Sequence, residues 1–224
     1  MSDNNAPSPL VPLADLGLAP PDAMEGELDA LTRTSDFLPQ VRVYGSETNA
    51  VKEGKFPLGH LGLYYSSDKI VDLTKEFDCI CFSARPRATI LADTPVSYYD
   101  ITSEEFISVK QQAMSGVRGY LCGLEYLLYI PSVEAYALFL MGNKTLRRES
   151  GLMKALIGCA ATVKVKLIKT SEFIWHGAQV LPCSTPFPMP EREKLQTVID
   201  DFKNPVGSGQ KLAKDENDTG GRER

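Results

Sequence analysis

Residues 124–142 read LEYLLYIPSVEAYALFLMG, two apolar runs separated by Pro131 and Ser132. Each run has strand length and is rich in aromatic and branched residues, and neither keeps a polar face. Together they predict a hairpin of central strands. A strand apolar on both faces needs cover on both, so the rest of the chain must supply strands beside this hairpin and layers above and below it.

Upstream, EFDCICFSARPRA (residues 76–88) is the strongest further strand, with Phe77, Cys79 and Cys81 on one face and Ile80, Phe82 and Ala84 on the other. DFLPQVRVYG opens the ordered region with Val41 and Val43 alternating against Arg42 and Tyr44, and a strand over about residues 60–65 carries Tyr64 and Tyr65. Before the hairpin, ITSEEFISVKQQAMSG predicts a helix capped by Thr102 or Ser103 and stopped at Gly116. After it, GNKTLRRESGLMKALIG predicts a helix capped by Asn143, with Leu146, Met153, Leu156 and Ile157 inward and Gly158 at its end. In PEREKLQTVIDDFKNP, Leu195, Val198, Ile199 and Phe202 make the apolar stripe of a helix over 191–203. Strands and helices do not alternate regularly, so a doubly wound parallel sheet is disfavoured. The expected fold is mainly β with helical insertions (α+β), an OB-like β-barrel, closed or partly open, of five strands or slightly more.

The 224 residues suffice for one sizeable core, placed at 36–204. Residues 1–35 are acidic, proline-rich and free of aromatic side chains, and 205–224 are polar and glycine-rich; both read as disordered tails. No run of about 18 apolar residues occurs, and the first basic side chain is Arg33, so neither a membrane span nor a signal peptide is drawn and the expected location is cytoplasmic.

Five dispersed cysteines without a CxxC pair, and two distant histidines, disfavour a disulfide framework or a metal site, and no cofactor is expected. Phosphate-loop, dinucleotide, zinc-protease and hydrolase-elbow patterns are absent, and His176 near Cys159 or Cys183 is the one sequence-local nucleophile pair. An enzyme is not expected.

The net charge of -5 is unevenly spread. Residues 1–40 hold seven acids against Arg33, whereas 142–170 hold Lys144, Arg147, Arg148, Lys154, Lys164, Lys166 and Lys169 against Glu149 alone. Local fields rather than totals steer a polyanion. In TVKVKLIK (162–169), Val163, Val165 and Leu167 are expected inward and Lys164 and Lys166 outward, about 7 Å apart and near the spacing of successive phosphates on a single strand. Such lysines also serve simply as a solvated, aggregation-resistant strand face. Lys52 and Lys55, and Arg85 and Arg87 flanking Pro86, are further candidate contacts. Stacking partners for bases are sought among Tyr64, Tyr65 and the lone Trp175, with Tyr44, Tyr98, Tyr99 and Phe173 behind them, although Trp175 equally suits a core.

On DFLPQVRVYG, KEGKFPLGHLGL and the block FLMGNKTLRRESGLMKALIGCAATVKVKLIKTSEFIWHGAQVLPCSTPF, the chain resembles bacteriophage OB-fold single-stranded-DNA-binding proteins. The resemblance implies a groove of lysine, arginine and aromatic side chains, and a role in DNA replication or recombination. It also implies self-association, replication or recombination proteins as partners, and the host cytoplasm as location. The mixed-charge end DENDTGGRER departs from the acidic, aromatic-ended tail of that kind of protein. The alternative is a virion or assembly component without nucleic-acid activity, whose apolar helix 191–203 docks on another subunit.

Overall fold

The computed structural model describes residues 38–46, 48–66, 68–91, 95–142, 147–169 and 174–204. Nine strands form one mixed sheet: β1 (Gln40–Tyr44), β2 (His60–Tyr64), β3 (Ile70–Asp72), β4 (Glu76–Ile90), β5 (Val96–Tyr98), β6 (Tyr120–Ile130), β7 (Ala135–Met141), β8 (Ala160–Lys169) and β9 (Ile174–Pro182). Among the described residues the α-helices are α1 (Asn49–Lys52), α2 (Glu104–Met114), α3 (Arg147–Ala155) and α4 (Arg192–Lys203).

The strand order is β3-β2-β1-β7-β6-β4-β8-β9, with β5 against the far end of β4. The hairpin β6–β7 is central, as its doubly apolar runs require, pairing from Leu124↔Met141 to Ile130↔Ala135. A barrel is not what forms: β3 and β9 end the path and do not pair, so the sheet is open and has nearly twice the expected strands. It is nonetheless bent. Leu61 N–H donates to Thr74 O at 2.7 Å and Val165 N–H to Lys75 O at 2.7 Å, so the corner between β3 and β4 touches both β2 and β8.

Alternation explains the layers. One face gathers Val41, Leu61, Leu63, Phe77, Cys79, Tyr126, Leu128, Phe139, Val163 and Val180 into the main core, with Met153 of α3 and Leu156 just after it. The opposite face, with Leu127, Tyr136 and Leu138, is covered by Val198 and Phe202 of α4. Burying Phe202 completely contributes about 2–3 kcal/mol. The stripe expected to dock on another subunit is thus spent inside this chain. On the main-core face of β6, but nearer its start, Phe106 and Val109 of α2 pack against Ala88 with Tyr120 and Cys122 alongside.

Several local signals act as read. The Ser103 hydroxyl accepts the Phe106 N–H at 3.1 Å, Gly116 leaves α2 at φ 78°, and Gly158 leaves α3 at φ 85°. Other readings need correction. A bulge between Cys81 and Ser83 shifts the register of β4, so Ala84 joins Phe77 and Cys79 on the main-core face instead of Ile80 and Phe82. Ile157 is 39% exposed because the chain leaves α3 before completing the turn that would bury it. Pro86 is tolerated because β8 pairs β4 only up to Ile80 and β5 only from Ala88, leaving that edge without a ladder between them. The expected caps and stripe residues Asn143 and Leu146, and both tails up to residue 37 and from residue 205, lie outside the described residues.

Candidate nucleic-acid interface

The basic segment TVKVKLIK belongs to a hairpin. β8 and β9 pair antiparallel from Ala161↔Pro182 to Lys169↔Ile174, whereas β8 pairs with β4 only through Lys164. The distal half therefore extends past β4 as a two-stranded arm. Lys166 and Lys169 are exposed there and Lys164 is half-buried beside Glu76. Leu167, expected inward, is 47% exposed, because the core that covers Val163 and Val165 ends before it. At the base of the arm, the connection after α1 passes close by: a Cβ on Gly59, which has φ 72°, would lie 2.9 Å from His176 Nε2.

Helix α3 is fixed to this hairpin by its one acid. Glu149 is buried, and its Oε2 accepts the Val180 N–H at 2.8 Å, satisfying a donor on the outer edge of β9. The fully buried Tyr126 holds the same turn, its hydroxyl donating to Ser150 O at 2.5 Å. Arg148 and Lys154 remain exposed on α3. Thus α3, β9 and β8 are neighbours, and the cations crowded into this part of the sequence stand on adjacent elements of the fold. Lys144 and the side chain of Arg147 lie outside the described residues.

Beside this surface is an open groove of about 700 Å³. Its floor is the start of β6, Leu121 to Leu124, with Met141 and Gly142 at the end of β7. Here the two backbones approach so closely that a Cβ on Gly123 would stand 2.3 Å from Gly142 Cα. One wall is the end of α2 and its exit turn, carrying Lys110, Met114 and Arg118; Trp175 and Ser150 also line the groove. Trp175 is half-buried and belongs to none of the three core clusters. Partial burial pushes the Cys122 thiol up, and the neighbouring Lys110 charge opposes that rise.

The groove residues Lys110, Arg118 and Tyr120 were not among the sequence candidates. The available signal was VRGY, a basic residue followed by glycine just before a strand, which presents a cation at a strand mouth.

The other candidates fall elsewhere. Arg85 and Arg87 are buried at 6% and 7% exposure, because the bulged β4 turns them beneath α4 and toward Glu125. Glu125, fully buried, accepts from Arg85 Nε at 2.8 Å and from Arg87 Nη1. Arg85 Nη1 donates to Phe202 O at 2.6 Å, and its guanidinium lies 4.0 Å from the Tyr99 ring centre and 4.3 Å from that of Phe202. These arginines are structural cations of the core and not surface contacts. Tyr64 and Tyr65 are half-buried, each with a cation over one ring face: Arg42 at 3.5 Å and Lys69 at 4.8 Å. Lys52 and Lys55 are exposed, the latter 2.8 Å from Glu53. Tyr44, 2% exposed, packs on Phe56, and Tyr98 sits beside α2; Phe173 lies outside the described residues.

Among the described residues, no group of three or more His, Cys, Asp or Glu side chains is placed to hold a metal ion, and no helix is long and apolar enough to cross a membrane. Burial pushes the Cys79 thiol well up and that of Cys81 to about 12, as expected of small core residues. No protein family, curated protein or solved structure matches the chain.

Proposed function

We propose that this protein binds single-stranded DNA without sequence preference, neutralising phosphates with surface cations and stacking bases on an aromatic side chain. The observation that carries this reading is the adjacency of α3, β9 and β8. It places exposed Arg148, Lys154 and Lys166 and half-buried Lys164 on neighbouring elements, with Trp175 on the strand between them. A cationic track with an aromatic platform is what sequence-tolerant single-strand binding needs. The reading involves no chemistry on the DNA. An accessory role in phage DNA replication or recombination, and self-association, belong to the same proposal through the resemblance stated above.

Four phosphate contacts give a salt slope of about -2.8 on a single strand, or roughly a 50-fold loss of affinity between about 50 and 200 mM salt. A gel-shift or anisotropy titration with single- and double-stranded oligonucleotides at those two concentrations tests this. Lys164→Glu with Lys166→Glu should flatten the slope by at least about 1.4 without unfolding the protein. Absent or salt-insensitive binding by the unmodified protein overturns the proposal.

A second reading, an assembly component that binds protein, draws on the apolar side chains of the arm: Leu167 is 47% and Ile174 63% exposed. Sedimentation with and without oligonucleotide separates the two, since the size of an assembly component without nucleic-acid activity does not respond to the oligonucleotide.

A further inference from the structure

Resting on the single-stranded-DNA reading, we infer that one strand of DNA lies in the groove between α2 and β9, its phosphates against Lys110 and Arg118 and a base stacked on Trp175. Charge complementarity selects this occupant. The groove lining contains two cations and no carboxylate among the described residues. A second hollow against α2, of about 360 Å³, is lined by Glu104 and Glu105 and by no cation. Helix α2 therefore separates a concavity that attracts a polyanion from one that repels it.

The shape agrees with the charge. The floor is flat because Gly123 and Gly142 bring β6 and β7 together with no side chain between them, and Leu121 and Leu124 make it largely apolar. A flat apolar strip suits the faces of bases, whereas the exposed side chains of Lys110 and Arg118 keep their charges in reach of phosphates at the rim. Tyr120, half-buried in the same lining, offers a second ring. Because Trp175 lies on β9 and the lysine track on its neighbour β8, a strand leaving the groove passes directly onto Lys164 and Lys166. The groove is thus the base-stacking part of the surface and β8 its electrostatic extension.

The chain's single tryptophan makes the test direct. The protein is titrated with an oligonucleotide of about 30 nucleotides while tryptophan emission and bound fraction are followed together. Emission should be quenched in step with binding. Lys110→Ala with Arg118→Ala should lower the magnitude of the salt slope by about 1.4. Trp175→Ala should weaken binding about 5- to 150-fold, while Trp175→Phe, which keeps a ring and the packing, retains most of it. If DNA binds with unchanged emission, and the Lys110/Arg118 variant keeps the full slope while Lys164→Glu with Lys166→Glu still weakens binding, the groove assignment is overturned and the DNA reading stands. If the unmodified protein does not bind, both fall.

Discussion

Replacing Glu125 by Gln tests the buried charge cluster that joins the sheet to α4. The carboxylate is fully buried and accepts from both Arg85 and Arg87, whose side chains are almost as deeply buried. An amide of the same shape keeps the volume but leaves two guanidinium groups without their anion. Breaking a buried ion pair from one side costs about 3–5 kcal/mol. For a chain of this size each kcal/mol moves the midpoint by about 2–4 °C, so a fall of roughly 6–20 °C is expected. Thermal melts followed by far-ultraviolet circular dichroism provide the measurement. The loss should be nearly the same at low and high salt, since water and ions do not reach the cluster. Arg87→Met should cost less in the Glu125→Gln background than in the unmodified protein, because the anion it partners is already gone. A Glu125→Gln protein within about 1 kcal/mol of the parent, or additive effects of the two changes, would refute the claim that these arginines are held for structure.

Three further outcomes follow from local geometry. Gly123→Ala sets a methyl group against backbone atoms 2.3 and 2.4 Å away, so a loss of about 1–3 kcal/mol in urea unfolding is expected, with weaker oligonucleotide binding as the groove floor splays. Glu134, at φ 49° in the turn between β6 and β7, is a left-handed non-glycine residue; Glu134→Gly should raise the urea midpoint by up to about 1 kcal/mol of stability, and Glu134→Val should lower it. Cys81 has a thiol pushed up to about 12 by burial, from 9.0, so above about pH 9 the unfolded chain releases this proton and the folded chain retains it. Stability therefore falls between about pH 9 and 12, by up to about 1.4 kcal/mol per pH unit from this group, and Cys81→Ala should show a shallower alkaline decline in equilibrium denaturation.

Most of the elements were legible because each obeys a short-range rule, whereas the short β3, β5 and α1 were not foreseen. Ser103 caps the segment that follows it, Gly116 and Gly158 end helices where a left-handed residue is needed, and the period of Leu195, Val198, Ile199 and Phe202 marks one helix face. The centrality of β6 and β7 followed from the lack of a polar face in either run. That the sheet stays open and grows to nine strands was not legible, because strand number and edge pairing depend on partners far away in the chain, and alternation does not specify them.

The candidate interface divides along the same line. Its charge was visible in residues 142–170, since seven cations against one acid need no fold to be counted. What became of individual side chains was not visible. Arg85 and Arg87 look like surface cations beside a proline, yet a single-residue bulge turns them onto Glu125, some 40 residues later in the chain. Trp175 reads equally well as core or platform, because alternation shows which residues share a face and not whether anything covers that face. Local propensity and periodicity thus determined the helices, the strands and the uneven charge. Long-range pairing decided which cations are buried, that residues 160–182 fold into an arm, and that Lys110 and Arg118 meet Trp175 around one groove, because those contacts join segments that no local rule connects.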